Sequence, residues 1–301
     1  MIAALRRRAA ALLSRRALVV GINRRNLTLV YPNNRRSDYP LADDKLLAKE
    51  RFGAAGVPVP ETLATCDGLF AVPGVVESLV GRERFVVKPA NGSGGGGILV
   101  VGGWDGAAGC WRRAGGGMLT PITLARHLAD VVFGAYSNQL EDRAFVERRV
   151  EPHAFFAGLW SDGLCDVRVI TLRGRAVMSM IRVPTRESGG RANLHQGGLG
   201  IAVELASGTT FRAVHRGRAL ERHPESGADL LGLTVPAWPR VLEVARAAAD
   251  AVPLGYLGVD VVVDREAGPM VLEINARPGL EIQNVHGQGL VEALASAGGA
   301  E

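Results

Sequence analysis

Cysteine and long apolar runs are what this sequence has little of. Only three cysteines occur among 301 residues, with no CxxC pair and no Cys/His spacing of the kind that binds zinc. This usage indicates a reducing compartment and excludes a disulfide scaffold. No apolar run reaches the length of about 18 residues that a membrane-spanning helix needs, and the N-terminus lacks a signal-peptide pattern. We therefore expect a cytoplasmic protein.

Acidic residues are missing from the front of the chain. The first 37 residues contain nine arginines and no aspartate or glutamate, so the total charge of +5 leaves −4 for the rest. A nucleic-acid-binding domain would spread basic charge over its folded body, and we therefore expect no nucleic-acid partner. Residues 2–19 are patterned as a basic amphipathic helix. It either contacts the inner membrane surface or a protein partner, or packs as a solvated helix on its own domain.

The remaining chain alternates helical and strand patterns. Apolar residues make up 47% of the sequence, enough for a substantial core. The periodicity predicts helices over 42–55, 122–134 and 236–252, and strands over 84–90, 98–101, 144–150, 167–172, 176–183, 257–263 and 270–276. The glycine-rich stretch 102–117 is predicted to be a surface excursion, and 186–200 a loop. The fold class is α+β, with antiparallel hairpins carrying the candidate chemistry.

Residues 91–97 (NGSGGGG) form a glycine loop between two predicted strands. A dinucleotide-binding motif and a Walker A loop both lead into a helix, so neither fits. A protein-kinase flap has its lysine on the following strand, whereas Lys88 precedes this loop, and no HRD or DFG motif occurs. We interpret the loop as a flap whose backbone amides approach phosphate oxygens. The alternative is a surface hairpin with a snorkelling lysine.

Two carboxylates and an amide lie on the last predicted hairpin. Glu273 and Asn275 are two residues apart and share a face. A turn in the middle of the intervening DREAGP segment places Asp260 opposite Glu273, and two opposed carboxylates repel. A divalent cation would remove the repulsion, and an all-oxygen ligand set suits Mg²⁺ or Mn²⁺. Alternatively, one carboxylate turns to solvent and Asn275 caps a turn before Pro278.

The order of these motifs resembles the ATP-grasp superfamily. The similarity is greatest to the alpha-L-glutamate ligase-like branch, related to the ligases that add glutamate to a ribosomal protein. It covers roughly residues 40–290 and rests on the segments DDKLLAK, VVKPANGSGGGG, FVERRV, GVDVVV and LEINARPG. The resemblance implies an ATP-grasp fold of two α+β subdomains that grip ATP. The expected divisions are a basic helix and linker over 1–40 in place of a full N-terminal domain, a first subdomain with the lid over 41–146, and a second with the metal site over 147–301.

The resemblance also implies a role for each matching residue. ATP would be bound by Lys45, Lys88, Asn91, Gly92, Ser93, Gly94, Gly95, Glu147, Arg148, Val150 and Asp166, with the segment from Glu147 to Val150 as adenine hinge. Magnesium would be held by Asp260, Glu273 and Asn275. The catalytic residues would be Arg168, which faces the γ-phosphate or the acyl phosphate, Arg182, which fits a second basic position on the next strand, and Arg191. Arg191, Asn193 and His195 would belong to the loop that lines the reacting centre, with Asn193 and His195 at the substrate. The spacing from Glu147 to Asp166 is longer than in those ligases, so the ribose acid is either Glu151 or Asp166.

Two of these residues keep a second interpretation. Arg191 either clamps a substrate carboxylate or forms a surface salt bridge. His195 either acts on the amine or bonds a loop carbonyl.

The implied activity is ATP- and magnesium-dependent ligation of a carboxylate to an amine. The carboxylate attacks the γ-phosphate to give an acyl phosphate, and the amine, such as that of glutamate, displaces phosphate. Two alternatives are a non-catalytic ATP-binding module serving a membrane or protein partner, and a phosphotransferase with the same lid.

Overall fold

A computed structural model describes residues 18–92 and 94–298 of the protein. The basic helix predicted over 2–19 lies almost wholly outside this range, as does Ser93 of the flap, and both remain predictions. In the described part of the chain, no helix is long and apolar enough to cross a membrane.

Ten helices and thirteen strands make up the described fold. The helices are α1 Ile22–Arg25, α2 Tyr31–Asn33, α3 Pro40–Asp43, α4 Lys45–Ala54, α5 Val72–Leu79, α6 Pro121–Val132, α7 Ala154–Leu159, α8 Trp238–Asp250, α9 Glu281–His286 and α10 Leu290–Gly298. A π-helical turn, Asn26–Val30, joins α1 to α2. Short 3-10 turns cover Arg36–Asp38, Leu69–Ala71 and Leu194–Gln196.

The first sheet is antiparallel and has six strands. They are β1 Thr62–Cys66, β2 Phe85–Pro89, β3 Leu99–Asp105, β4 Cys110–Arg113, β5 Met118–Leu119 and β6 Ala144–Arg148, in the order β1-β6-β2-β3-β4-β5. Helix α6 begins at Pro121, and the Thr120 side chain accepts a hydrogen bond from the Thr123 amide. Its buried face (Leu124, Leu128, Val131, Val132) joins the core of this sheet.

The second sheet is also antiparallel and has seven strands. They are β7 Asp166–Leu172, β8 Arg175–Val183, β9 Leu199–Val203, β10 Thr210–His215, β11 Arg218–Leu220, β12 Tyr256–Asp264 and β13 Gly268–Asn275, in the order β11-β10-β9-β8-β7-β12-β13. Every residue of β12 is buried, because β7 and β13 flank it and α8 packs on it. A polar side chain on β12 therefore sits in the interior of the protein.

The prediction of a surface excursion over residues 102–117 is wrong for its strands, although residues 106–109 and 112–117 are exposed. Strand β3 continues to Asp105, and the chain returns as β4 with Trp111 fully buried. The Trp111 ring packs edge-on against Phe85 at a centroid distance of 5.8 Å and lies 4.9 Å from Trp104. The turns at 106–109 and 114–117 take up most of the glycines, and between them Trp111 is buried in the core because of its large apolar area. The loop predicted over 186–200 ends earlier, because β9 begins at Leu199.

The chain before the first sheet packs on the second sheet. Val20, Leu29, Val30 and Tyr39 are buried in the core of the second sheet, as are Ala48 and Phe52 of α4. The Asn34 side chain donates to the carbonyls of Tyr256 (2.8 Å) and Ala276 (3.0 Å) and accepts from the Tyr256 amide (2.9 Å). Ala48, Phe52 and Val57 thus contribute to the core of the second sheet, and the predicted division of the chain at residues 40 and 146 stays a prediction.

Candidate functional site

The centre of the candidate site is a buried network of two aspartates and two arginines. Arg168 on β7 grips Asp260 on β12 through Nε and Nη2, each 2.6 Å from a carboxylate oxygen. Arg182 on β8 donates through Nη2 to Asp260 (2.7 Å) and grips Asp166 through Nε (2.6 Å) and Nη2 (2.7 Å). The antiparallel register brings these residues together, because Arg168 pairs with Asp260 and Asp166 with Arg182. Such paired charges can be buried because each guanidinium neutralises a carboxylate.

The network shifts the pKa values of the two aspartates in opposite directions. Burial alone would raise the pKa of Asp260, but Arg168 and Arg182 lower the pKa of this carboxyl to about 2. Burial raises the pKa of Asp166; Arg182 opposes the shift and the charge of Asp260 adds to it. Asp260 is consequently ionised at every physiological pH.

The predicted register of the last hairpin is confirmed, since Asp260 pairs directly with Glu273. The reason given for a cation needs correction, because Arg168 and Arg182 already neutralise Asp260. Asn275 shares the face of Glu273 and donates through Nδ2 to Asp260 at 3.3 Å. The Glu273 side chain is about one-third exposed, and its nearest cation is Lys45 Nζ at 4.0 Å.

The oxygen donors of this hairpin fit a magnesium ion. Glu273 is accessible, and Asn275 keeps its amide oxygen available while its Nδ2 contacts Asp260. Within residues 18–92 and 94–298, no three His, Cys, Asp or Glu side chains come together as a metal site. Mg²⁺ commonly uses one or two carboxylates together with phosphate oxygens and water, so this sparse donor set suits it.

A second buried ion cluster lies on the first sheet. Glu147 on β6 forms ion pairs with Lys88 on β2 and with Lys49 on α4, the latter at 2.9 Å. Burial opposes ionisation of Glu147, but the two ammonium groups outweigh it and lower the pKa of its carboxyl. Burial also lowers the pKa of Lys49, with Glu147 opposing the shift. Sequence reasoning missed Lys49; its position four residues after Lys45, on the same helical face, was the available signal.

Lys45 connects the flap to the acidic hairpin. It is the first residue of α4, and Asp44 caps the helix by accepting from the amides of Leu46 (2.9 Å) and Leu47 (3.1 Å). The Lys45 ammonium donates to the Gly92 carbonyl at 2.5 Å and lies 4.0 Å from Glu273. The cap thus positions the Lys45 ammonium between the glycine flap and the acidic hairpin, which are nearly two hundred residues apart in the sequence.

The start of the flap is anchored by Asp142, which sequence reasoning missed. The Asn91 backbone amide and its Nδ2 both donate to the Asp142 carboxylate, the latter at 2.8 Å. Ser137 donates to the same carboxylate, which is buried. Next to it, Arg143 pairs with Asp44 at 2.6 Å. One chain segment therefore holds both the flap and the N-terminus of α4.

The glycine flap touches the predicted substrate loop. Gln196 Nε2 donates to the Gly94 carbonyl at 3.1 Å. Gly95 has φ of +78°, and a Cβ built there would lie 3.0 Å from Arg191 Cδ. Asn193 accepts from the His195 amide at 3.0 Å, which starts the 3-10 turn, and His195 Nε2 would lie 3.8 Å from a Cβ at Gly279. Arg191, Asn193 and His195 thus lie between the flap and the loop after β13.

A Gly95→Ala substitution tests this contact. Alanine at φ of +78° carries a backbone cost of about 1–2 kcal/mol and would push Arg191 away. We expect about tenfold slower ATP turnover. Gly109→Ala is the matched control, because its φ is +60° and no atom lies within 4 Å of the added Cβ. Equal ADP release rates for the two variants would contradict a role for the Gly95–Arg191 contact.

The hinge segment follows β6 and meets a small apolar cluster between the sheets. Val150, Val262 and Met270 are buried together, with Leu164 and Leu272 packed against them. Arg148 pairs with Asp264 at 3.2 Å. Glu151 Oε1 is buried and accepts no hydrogen bond from the described residues, although Arg84 Nη1 lies 3.3 Å away. Helix α7 accounts for the long spacing from Glu147 to Asp166.

Solved structures share this arrangement of two sheets. The biotin carboxylase of Campylobacter jejuni superposes with a TM-score of 0.52 at 16% identity, over 85% of this chain and 46% of that one. The biotin carboxylase domain of 2-oxoglutarate carboxylase from Hydrogenobacter thermophilus gives a TM-score of 0.50 at 15% identity, over 87% and 46% of the two chains. At this identity the likeness shows the fold alone, which is the predicted ATP-grasp fold.

Sequence relatives agree with the fold. A probable alpha-L-glutamate ligase of Xanthomonas oryzae is 25% identical over 260 residues, covering 84% of this chain and 63% of the relative. The ribosomal protein bS6–L-glutamate ligase of Shigella boydii is 25% identical over 254 residues, covering 83% and 61%. The chain thus spans less than two thirds of the length of these relatives. The family model for sugar-transfer associated ATP-grasp proteins matches residues 24–298, and the chain therefore belongs to that ATP-grasp family.

Proposed function

We propose that this chain is an ATP- and magnesium-dependent ligase that joins a carboxylate to an amine through an acyl phosphate. The observation that carries the proposal is the position of the Lys45 ammonium, between the Gly92 carbonyl and Glu273. It brings the flap, a cation and the acidic hairpin into one small space, as phosphoryl transfer requires. The relatives named as glutamate ligases support an amino acid, such as glutamate, as the amine added to an acceptor.

The proposed nucleotide site uses both ion clusters. An ammonium group has three donors, so Lys88 can hold Glu147 and still bind a phosphate oxygen. Lys45 likewise keeps donors beyond its bond to Gly92. The flap amides from Asn91 to Gly95 would cover the phosphates and exclude water from the acyl phosphate.

The adenine would pack on the apolar cluster around Val150. Lysines bind both carboxylate oxygens of Glu147. The adenine amine would therefore contact the backbone of residues 148–150 rather than the Glu147 side chain. Both oxygens of Asp166 are bound by Arg182, whereas Glu151 has an oxygen without a hydrogen bond from the described residues. Of the two candidate ribose acids, we therefore propose Glu151.

The reacting centre would lie at the hairpin of β12 and β13. Glu273 and Asn275 would hold magnesium, which supplies charge neutralisation at the phosphate oxygens when bound. Asp260 orients the guanidinium groups of Arg168 and Arg182, and their remaining N–H groups would donate to the transferring phosphoryl group. Arg191 would clamp the carboxylate of the substrate. Asn193 shapes the loop, and His195 faces the same opening, where the amine would enter.

Product analysis tests this function. The purified chain is incubated with ATP, Mg²⁺ and a screen of amino acids and short acidic peptides, and ADP release and product masses are measured. We expect ADP release that depends on substrate and a product lighter by one water than its two precursors. A phosphorylated product without an amide would identify a phosphotransferase instead, and ATP binding with no turnover would favour a non-catalytic module.

A further inference from the structure

The first described residues carry an exposed apolar face. Four side chains between positions 18 and 32 are about half to two-thirds exposed, and together we name them the docking face: Val19 (49%), Ile22 (65%), Leu27 (66%) and Tyr31 (59%). The same stretch buries Val20, Leu29 and Val30 in the core of the second sheet. The segment therefore has one side committed to the fold and one apolar side without cover from the described residues.

The helical geometry places two of these side chains, Leu27 and Tyr31, on a common surface. Leu27 and Tyr31 are four residues apart, which is one helical turn. Ile22 is the first residue of α1, and Leu27 lies in the π-helical turn Asn26–Val30 that follows it. The same turn buries Leu29 and Val30, so it presents Leu27 to solvent while its other apolar side chains enter the core.

The docking face is held rigidly on the body of the protein. The Val20 amide donates to Gln283 Oε1 at 2.8 Å, and Gln283 Nε2 donates to the Val20 carbonyl at 2.9 Å. At the other end, Asn34 bonds the strands of the acidic hairpin. Arg25 donates to the Pro278 carbonyl at 3.0 Å, in the loop that follows Asn275. A surface that binds this segment would therefore hold the candidate site beside it.

Only positive charge accompanies the docking face along the chain. Arg24, Arg35 and Arg36 are exposed, and Asp38 is the first acidic residue of the sequence. The seventeen residues that precede the described part add five arginines and no acid. Because these like charges repel, they disfavour the chain's own N-terminus as the cover of the face. Apolar side chains flanked by cations along the chain match a bilayer surface of anionic lipids, which offers acyl chains and negative headgroups together.

We propose that the docking face binds the surface of an anionic membrane. The apolar side chains insert at the boundary between headgroups and acyl chains, and the arginines contact the headgroup phosphates. Nucleic acid would use the arginines but leave the apolar side chains exposed, and for that reason the membrane fits better. This inference goes beyond the proposed ligase activity and does not depend on it.

Vesicle sedimentation of the full chain tests the proposal. Binding is compared between phosphatidylcholine vesicles and vesicles that also contain phosphatidylglycerol. We expect binding to the anionic vesicles only, weakened by added salt. The double variant Arg35→Gln/Arg36→Gln is expected to bind about 30-fold more weakly. Leu27→Ser/Tyr31→Ser is expected to lose about tenfold or more of the binding.

The matched control changes equivalent residues elsewhere. Ile122 on α6 is 73% exposed and Arg126 on the same helix is exposed, so Ile122→Ser/Arg126→Gln alters the same chemistry away from the face. Unchanged vesicle binding by this variant supports the proposal. Equal loss in the control, equal binding to neutral vesicles, or tighter binding to a DNA duplex would overturn it. So would a dimer in analytical ultracentrifugation that Leu27→Ser/Tyr31→Ser dissociates.

Discussion

Replacement of Asp260 by alanine is expected to lower the free energy of unfolding by about 3–5 kcal/mol. The change leaves Arg168 and Arg182 buried with one carboxylate, Asp166, between them. Removing one member of a buried ion network costs more than the network contributes, because the remaining charge loses its compensation. Urea unfolding followed by circular dichroism measures the effect.

A surface ion pair provides the control for Asp260. Asp229 lies 3.0 Å from Arg222, and both side chains are mostly exposed. Asp229→Ala should change the free energy of unfolding by no more than about 1 kcal/mol. If Asp260→Ala were as stable as Asp229→Ala, the arginines would have to find other partners, and the buried network would not be a structural requirement. With the expected loss of stability, turnover of Asp260→Ala reports folding and chemistry together, and Glu273 is the better position at which to test the metal site.

Replacement of Glu273 by glutamine is expected to leave stability nearly unchanged and to reduce turnover strongly. Its carboxylate is partly exposed and lies 4.0 Å from its nearest cation, so the free energy of unfolding should change by no more than about 1 kcal/mol. Turnover should fall by about 100-fold or more, the scale of losing one pre-organised electrostatic group. The apparent affinity for Mg²⁺ should fall as well, because a carboxamide carries no charge. ADP release over a magnesium titration measures both effects.

The control for Glu273 lies in the same hairpin. Glu266 is exposed in the turn between β12 and β13, and Glu266→Gln removes the same charge at a distance from the candidate site. We expect full turnover and an unchanged magnesium dependence. Wild-type turnover in Glu273→Gln would remove this residue from the magnesium site and leave Asn275 as the remaining accessible donor.

Local patterns were enough to predict the hairpin that carries the acidic residues. The position of the short turn in the DREAGP segment predicts the register of the two antiparallel strands, and Asp260 pairs with Glu273 as predicted. The glycine flap after β2 and the long helices α4, α6 and α8 were predicted for the same reason, within a few residues. Each of these features depends on neighbours in the chain.

Contacts between residues that are far apart in the chain could not be predicted from the sequence. The arginines that neutralise Asp260 come from strands 92 and 78 residues away in the sequence. Lys49 and Glu147 are separated by 98 residues, and Asp142 anchors a flap that lies 51 residues before it. A charge pattern does not state which partner a buried group will find, because many pairings satisfy the same electrostatic requirement.

The sequence by itself determined the α+β fold class and the pairing of the acidic hairpin, since both follow from local periodicity and turn chemistry. The tertiary structure alone decided that the strand with Trp111 lies in the core between two glycine turns, because the first sheet offers a site that buries this large aromatic. The tertiary structure alone also decided which buried charges are neutralised by an ion-pair partner. Burial makes an uncompensated charge costly, and the packing of β7, β8 and β12 fixes which groups meet.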